Sequence, residues 1–336
     1  MTKTLADQAN DRPIALLDIE EAQVRLASHI YPTPLLENRT LSARCRCNLF
    51  LKAEHLQRTG SFKVRGALNR LLRMEVPQRA RGVVAFSSGN HAQGVALAAS
   101  LTKTTAHIVM PTDAPKVKVA ATREYGAQVV FYDRRVDDRQ AIAQALTEKL
   151  GATLVPPFDD PWVMAGQGTL GVEILSECPQ VDTIIVPVGG GGLISGIAVA
   201  VKSLQSRVRL VGVEPAVAAD ALMSRRAGHI VQIAQPQTIA DGAATQQLGK
   251  MTFPVMQDLV DSLVTVTEQQ IARALLLILH RTKQLIEPTA ALGVAALLSG
   301  QVSGKNVVAV LSGGNLDLTD LPYLVALAGQ DPVSGT

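Results

Sequence analysis

The chain has 336 residues, of which 47% are hydrophobic and 18% charged, and its formal net charge is +3. This length exceeds one ordinary core and fits two lobes of about 100 to 200 residues each. Aromatic residues make up only 3%, which argues against a stacking surface for nucleic acid, so we expect no nucleic-acid partner. The longest apolar runs, such as residues 274–279, are far too short to cross a bilayer, and we expect no membrane association.

The N-terminus and the cysteines indicate a cytoplasmic protein. Residues 1–13 are polar and lack the apolar core of a signal peptide, and we expect them to form a disordered leader. Cys45, Cys47 and Cys178 form neither an even disulfide framework nor a zinc pattern, which favours reduced thiols.

The first predicted elements lead to one lysine. The pattern predicts an amphipathic helix over residues 16–29, an extended proline-containing connector over 31–35 and a strand over 48–52. The segment 59–69 follows, in which Lys63 comes after a Gly-Ser turn and opens a helix.

Strand and helix patterns then alternate along two stretches of the chain. Short apolar runs separated by helices of about 10 to 15 residues predict an α/β fold with two open, mostly parallel sheets, each covered by helices on both faces. The predicted units are a large discontinuous domain of residues 14–78 and 153–328, a small domain of residues 79–152, and a tail of residues 329–336. Residues 228–258 are predicted to be irregular, and Thr267 with Gln270 fits a capping box.

Lys63 is a candidate Schiff-base lysine. Thr59 or Ser61 can cap the predicted helix, and the positive end of the helix dipole then disfavours the charged form of the Lys63 amine. A neutral lysine is a nucleophile toward aldehydes. The alternative is an ordinary lysine at a helix start that points to water, and this segment alone leaves both open.

Three segments that follow predicted strands are candidate ligand loops, because parallel sheets bind ligands outside the carboxyl ends of their strands. They are residues 87–94 (Ser-Ser-Gly-Asn-His-Ala-Gln-Gly), 189–193 (Gly-Gly-Gly-Gly-Leu) and 312–315 (Ser-Gly-Gly-Asn). Four consecutive glycines before a helix predict a phosphate cradle of backbone N–H groups, with a flexible glycine turn as the alternative. The spacing fits neither a dinucleotide fingerprint nor a nucleotide P-loop.

A reactive lysine and a phosphate cradle together indicate an aldehyde cofactor that carries a phosphate, and pyridoxal phosphate meets that description. With Ser-Phe-Lys-Val-Arg-Gly-Ala around Lys63, the three loops and Ile-Glu-Pro-Thr at 286–289, the sequence resembles the serine/threonine dehydratase (threonine ammonia-lyase) family of the tryptophan-synthase-β fold type, which includes serine racemase. The resemblance implies PLP fold type II, pyridoxal 5'-phosphate as cofactor, an amino acid as small-molecule substrate, and a homodimer or other homo-oligomer.

The resemblance also implies site residues. Lys63 would hold the cofactor as a Schiff base and act as the base, and Ser88 matches the acid/base on the opposite face, although carboxylate binding is its simpler role. The other cofactor-binding positions would be Phe62, Asn90, Gly189, Gly190, Gly191, Gly192, Leu193, Glu287 and Ser312. The substrate would contact Ser87, Ser88, Gly89, Asn90 and His91, with Gly242 in a further loop near the active site.

A divalent-cation site is implied by the same resemblance. Glu214 and Asp220, with the carbonyl of Ala218, match the ligands of metal-activated members. Two carboxylates and a carbonyl suit a hard cation such as Mg²⁺ or Ca²⁺. Carboxylates at this spacing also arise on ordinary surfaces, which is the alternative.

The implied reaction is β-elimination, a carbon–oxygen lyase activity that converts L-threonine or L-serine to a 2-oxo acid and ammonia. Ser312 would place a neutral hydroxyl at the pyridine nitrogen, which weakens the ring as an electron sink and favours elimination. A 3-hydroxyaspartate dehydratase and a serine racemase-like enzyme are the alternatives. A second substrate carboxylate would require an arginine, and Arg134, Arg135 and Arg139 cannot be placed from sequence. An inactive binding protein of this fold is the non-enzyme alternative, and it would be expected to lack Lys63 or the glycine loop.

Overall fold

The computed structural model of the chain describes residues 12–114 and 116–329. Most of the predicted leader, residues 1–11, and nearly all of the predicted tail, residues 330–336, lie outside the described residues. Residue 12 is described, and its guanidinium Nε donates a hydrogen bond of 3.1 Å to the carboxylate of Asp258.

The strands and helices alternate through most of the described chain. The strands are β1 (Leu35–Glu37), β2 (Asn48–Ala53), β3 (Val83–Phe86), β4 (Ala106–Pro111), β5 (Gln128–Tyr132), β6 (Thr153–Leu154), β7 (Thr183–Pro187), β8 (Arg209–Pro215), β9 (Ser262–Val266) and β10 (Asn306–Leu311). The α-helices are α1 (Leu16–Leu26), α2 (Arg39–Cys45), α3 (Lys63–Leu72), α4 (Val76–Ala80), α5 (Asn90–Leu101), α6 (Lys116–Glu124), α7 (Arg139–Leu150), α8 (Pro161–Glu177), α9 (Gly192–Leu204), α10 (Asp220–Ala227), α11 (Thr252–Leu259), α12 (Glu268–Thr282), α13 (Leu292–Leu298) and α14 (Leu321–Ala328).

These strands form two sheets. The larger sheet has the order β1-β2-β10-β7-β8-β9, and every pair in it is parallel except β1 with β2. The smaller sheet has the order β5-β4-β3-β6 and is parallel throughout. The predicted fold class, two mostly parallel sheets in an α/β protein, is confirmed.

The packing of alternate residues of β10 explains why its sequence is apolar from Val307 to Leu311. Val307, Ala309 and Leu311 pack in the core cluster that contains the buried residues of α12 and α13, whereas Val308 and Val310 pack in the cluster formed with α9. A parallel strand covered by helices on both faces has no solvent-facing side chains, so it reads as a continuous hydrophobic run.

A buried ionic network fixes α3 to its neighbours. The Arg65 guanidinium Nε donates at 2.8 Å to Glu54, and its Nη2 donates at 2.9 Å to Glu173. Lys52 on β2 pairs with Glu173 at 2.9 Å and with Glu177 at 2.6 Å. Arg65, Lys52 and Glu54 are fully buried, so these bonds replace the water that the charges lose on folding.

Several predicted elements differ from the structure. Helix α1 ends at Leu26 rather than near residue 29. The segment predicted to be irregular contains α11, whose buried Thr252, Val255 and Met256 have helical spacing that the neighbouring Gly, Pro and Gln residues obscured. Strand β6 pairs with β3, so the smaller sheet extends two residues past the predicted domain boundary at residue 152. The capping box of Thr267 and Gln270 at α12 is confirmed.

Candidate functional site

The site lies where the loop before α3 meets the loop after β10. Ser61 and Gly313 form an isolated antiparallel bridge. The amide of Phe62 donates to the carbonyl of Ser312 at 3.2 Å, and the amide of Gly314 donates to the carbonyl of Gly60 at 2.8 Å. Gly60 has φ +68°, a left-handed conformation that favours glycine. These backbone bonds hold the start of α3 beside the carboxyl end of the central strand β10.

Lys63 is the first residue of α3, and its amine points into the protein. Its Nζ donates to the carbonyl of Pro157 at 2.9 Å and lies 5.1 Å from the centre of the Phe62 ring. Burial lowers the pKa of Lys63 from 10.5 to about 8, and the negative charge of Glu287 partly opposes that shift. A lysine with this pKa carries a substantial neutral fraction near neutral pH, as a Schiff-base lysine needs.

The predicted cap of α3 is wrong. The N-cap residue is Phe62, and no side chain caps the helix. The hydroxyls of Thr59 and Ser61 are instead buried without a partner in the described part of the chain. Burial is therefore the main cause of the lowered pKa of Lys63.

The loop after β3 leads into α5, which packs against Lys63: a Cβ at Gly94 would lie 3.2 Å from the Lys63 Cβ. Asn90, at the start of α5, donates from Nδ2 to Glu287 Oε1 at 2.7 Å and accepts from Asn315 Nδ2 at 2.8 Å. The Ser87 hydroxyl accepts from the Gly89 amide at 3.2 Å. The structure thus brings together the predicted loop and the predicted Glu287.

His91 and Glu287 have shifted pKa values. Burial, followed by the positive charge of Lys63, lowers the pKa of His91 to about 3, so its ring is neutral and pairs with the carbonyl of Val155 at 2.9 Å. Burial, followed by the negative charge of Asp241, raises the pKa of Glu287 to about 7. The other ring nitrogen of His91, Nδ1, is buried without a partner among the described residues.

The glycine loop between β7 and α9 has no room for side chains. A Cβ at Gly190 would lie 2.3 Å from ring carbons of Phe158, and a Cβ at Gly192 would lie 2.8 Å from the Cβ of the same residue. Gly191 has φ +89°, and within residues 12–114 and 116–329 the amides of Gly190, Gly191 and Gly192 have no acceptor. Unpaired amides at the start of a helix fit a phosphate group. Leu193 is buried, so its side chain belongs to the core.

Ser312 provides a second test of fit for the predicted cofactor. Its side chain is 2% exposed, and its Oγ has no hydrogen-bond partner among the described residues. Buried hydroxyls in native proteins nearly always have partners, so an orphan next to the Lys63 loop indicates a ligand atom. A pyridine nitrogen is such an atom.

Glu214 and Asp220 lie close together behind the glycine loop. Both Glu214 oxygens accept amides of α10, from Ala221 at 2.8 Å and Leu222 at 2.9 Å. Asp220 Oδ1 accepts from Thr245 at 3.4 Å, and its Oδ2 is buried without a partner in the part of the chain that the structure describes. Burial raises the pKa of Glu214 to about 8 and that of Asp220 to about 7.

No group of three or more His, Cys, Asp or Glu residues suited to a metal ion occurs within the described residues, so any cation here would rest on two carboxylates. Ala218 lies in the turn between them, where its amide donates to Pro215 at 2.9 Å. Gly242 packs against the first glycine of the glycine loop. A Cβ at Gly189 would be 2.9 Å from the Gly242 carbonyl oxygen, and the Gly242 amide donates to Thr289 at 3.0 Å.

Sequence reasoning missed two polar residues of the site. Asn315 Nδ2 donates to Asn90 Oδ1 and to the Thr59 carbonyl, each at 2.8 Å. Asn315 is the last residue of the motif at 312–315, but the motif alone indicates no role for it. Lys118 on α6 reaches the loop from the smaller sheet, with Nζ 2.7 Å from Asp241 of the larger unit. No sequence signal connects these two residues, because the fold alone brings them together.

Comparison with known proteins gives consistent results. The family described as "Pyridoxal-phosphate dependent enzyme" matches residues 26–313. The chain is 49% identical to an L-threo-3-hydroxyaspartate ammonia-lyase of a Pseudomonas species over 90% of this chain and 95% of that protein. It is 42% identical to a catabolic L-threonine dehydratase of Escherichia coli, over 92% and 95%. The solved structure of maize serine racemase aligns with a TM-score of 0.89 at 37% identity and covers 94% of this chain and 97% of that one.

Proposed function

Because this chain belongs to the family of pyridoxal-phosphate-dependent enzymes, we propose that it is an ammonia-lyase that converts L-threonine or L-serine to a 2-oxo acid and ammonia. The main observation that supports this proposal is that three groups lie close together in the structure. They are the amine of Lys63 with its lowered pKa, a glycine loop with unpaired amides, and the buried, unpartnered hydroxyl of Ser312.

The residues that would hold pyridoxal phosphate follow from this arrangement. Lys63 would hold its aldehyde carbon, the amides of residues 189–193 its phosphate, and Ser312 its pyridine nitrogen. Phe62 and Asn90 would lie beside the ring, with Glu287 bonded to Asn90. When bound, this cofactor supplies an electron sink for cleavage of bonds at the α-carbon of an amino acid.

The chain's own groups then favour elimination. Once the amine of the substrate has displaced it from the aldehyde carbon, the Lys63 amine, neutral in part near pH 8, would take the α-proton of the substrate. Ser312 presents a neutral hydroxyl where a carboxylate would stabilise positive charge, which favours departure of the β-hydroxyl as the α-proton is lost. The β-hydroxyl would leave as water with a proton from the phosphate group that the glycine loop would hold, and water would then hydrolyse the remaining enamine to the oxo acid and ammonia. The amides and hydroxyls of residues 87–91 hold the substrate carboxylate.

Ser88 supports a second candidate activity. Its hydroxyl has no partner among the described residues, so it is free to bind a carboxylate or to exchange a proton with the substrate. A proton returned from the side opposite Lys63 would racemise the substrate, the activity named for the maize relative. We assign Ser88 to carboxylate binding in the main reaction and expect racemisation to be the slower one.

Four further features complete the proposal. A divalent cation such as Mg²⁺ would bind Glu214, Asp220 and the Ala218 carbonyl, supported by the unpartnered Asp220 oxygen. The small domain would span residues 79–154, because β6 completes the smaller sheet. The protein would act as a homodimer or other homo-oligomer, supported by exposed apolar residues of α14. A cytoplasmic location is supported by three unpaired cysteines. Within the described chain, no helix has the length and apolar character needed to span a membrane.

Ammonia release tests the proposed function. The purified protein, loaded with pyridoxal phosphate, is assayed with L-threonine, L-serine and L-threo-3-hydroxyaspartate, and the oxo acid and the enantiomer of the remaining substrate are measured. We expect oxo acid and ammonia in equal amounts, and none from Lys63→Ala. Lys116→Ala on exposed α6 surface is the matched control and should retain activity. Absence of product with every substrate would refute the proposal.

A further inference from the structure

Lys118 carries a mostly buried positive charge beside the loop of residues 87–91. The proposed elimination does not use this charge. Lys118 lies on α6, and its side chain is only 15% exposed. A Cβ placed on Gly89 would be 4.0 Å from Lys118 Nζ, so the ammonium lies against the middle of the loop of residues 87–91. A lysine in this position is within reach of a group carried by the substrate.

The partner of Lys118 is a carboxylate that can be exchanged. Nζ donates at 2.7 Å to Asp241 Oδ2, and the Asp241 side chain is 56% exposed. Because the carboxylate half of this ion pair is exposed, water can hydrate Asp241 when it leaves Lys118. Asp241 can therefore turn to solvent, whereas the Lys118 ammonium stays in the cleft and needs another acceptor.

Lys118 also keeps its charge. Burial alone would lower its pKa, but the carboxylates of Asp241, Glu287 and Asp320 outweigh burial and raise it. Two of the three arginines named from sequence are paired on the surface, Arg134 with Asp113 at 2.8 Å and Arg135 with Asp133. The third, Arg139, lies 5.6 Å from the centre of the Phe86 ring, so it is the competing cation near this loop and is included in the test below.

We propose that Lys118 determines specificity by binding a second carboxylate, on the β-carbon of the substrate, in place of Asp241. This inference rests on the proposed function, and it names the substrate class of that site as β-hydroxy dicarboxylic amino acids such as 3-hydroxyaspartate. The lysine side chain is flexible, and its ammonium can bind a carboxylate in several orientations. With substrates that lack the second carboxylate, Lys118 keeps its bond to Asp241. L-Threonine and L-serine therefore bind with the Lys118–Asp241 pair intact.

The test compares two substrates in the same holoenzymes. In Lys118→Gln we expect kcat/KM for L-threo-3-hydroxyaspartate to fall roughly 30-fold, the worth of one charge-assisted hydrogen bond, while kcat/KM for L-threonine changes less than about twofold. Lys118→Arg should recover most of the loss. Asp241→Asn should lower KM for hydroxyaspartate, because the competing carboxylate is removed. Lys116→Gln, an exposed lysine on the same helix, is the matched control.

Binding provides a readout that is independent of turnover. Calorimetric titration of the holoenzyme with succinate, a four-carbon dicarboxylate, should show weaker binding in Lys118→Gln, whereas butyrate should bind the two proteins equally. If Lys118→Gln lowered kcat/KM equally for L-threo-3-hydroxyaspartate and L-threonine, the proposal would be overturned. Lys118 would then act on Glu287 or on the α-carboxylate that the two substrates share. A selective loss in Arg139→Gln but not in Lys118→Gln would also overturn it.

Failure of this inference is distinguishable from failure of the proposed function. If the holoenzyme releases ammonia from L-threonine but Lys118→Gln has no selective effect, only the specificity assignment is wrong. If no β-hydroxy amino acid is consumed, both are wrong. Retained L-threonine activity in each variant shows that it is folded.

Discussion

The pKa of Lys63 predicts how the protein without cofactor captures pyridoxal phosphate. Only the neutral amine attacks an aldehyde, and with a pKa of about 8 roughly one tenth of the lysine is neutral at pH 7. At the ordinary pKa of 10.5 the neutral fraction would be about one in three thousand, so burial increases the reactive fraction on the order of 300-fold. We expect the rate of cofactor capture to rise with pH and to level off above pH 8.

Stopped-flow absorbance of the cofactor–lysine Schiff base measures this rate from about pH 6.5 to 9.5, a range that brackets the lowered pKa. An N-acetylated lysine amide mixed with the same cofactor at each pH is the control, because it corrects for ionisation of the cofactor itself. A corrected rate that is flat across this range, or that still rises steeply at its upper end, would refute the reasoning.

The substitution Glu287→Gln should lower the pKa of Lys63 further, because it removes a negative charge. The negative carboxylate of Glu287 raises the pKa of Lys63, so its removal should move the midpoint of the rate profile below pH 8. Capture at pH 7 should then be faster than in the unmodified protein. A midpoint that moves upward would show that the two groups do not interact as the structure indicates.

Four other perturbations follow from the geometry. Glu54→Gln leaves the buried Arg65 short of a charged partner and should reduce the free energy of unfolding by about 3 to 5 kcal/mol in urea titrations. Ser312→Ala should weaken cofactor affinity roughly tenfold without destabilising the protein lacking cofactor, because its hydroxyl has no bond to lose there. Gly190→Ala should abolish cofactor binding by equilibrium titration and cost about 1 to 3 kcal/mol of stability through overpacking. Added Mg²⁺ should raise the melting temperature, and Asp220→Asn should remove that rise.

The local signals in the sequence were enough to predict the fold. An apolar run such as residues 307–311 of β10 predicts a buried parallel strand, and a glycine run between a strand and a helix predicts a phosphate loop. Both signals are local, so they could be read directly from the sequence. The capping box at Thr267 was predicted for the same reason, because its partner lies three residues away. Boundaries were less accurate, as β6 and the end of α1 show.

The parts of the site that depend on distant contacts could not be predicted. The sequence suggested a helix dipole as the cause of the lowered pKa of Lys63, whereas the structure shows that burial dominates. Burial depends on how Pro157 and Phe158 cover the amine and the glycine loop, which no local pattern reveals. The bond between Lys118 and Asp241 likewise joins residues 123 positions apart.

The position of β10 in the larger sheet has a consequence for biosynthesis. This strand lies between β2 and β7, and the loop after it holds the start of α3 through contacts such as Asn315 with Thr59, which are 256 residues apart. A growing chain on the ribosome therefore cannot complete the larger sheet until β10 has emerged. Until then β2 and β7 lack their shared neighbour and expose unpaired edges, which are aggregation-prone. The nascent chain should consequently depend on chaperones until β10 emerges, and it should acquire its cofactor only after that point.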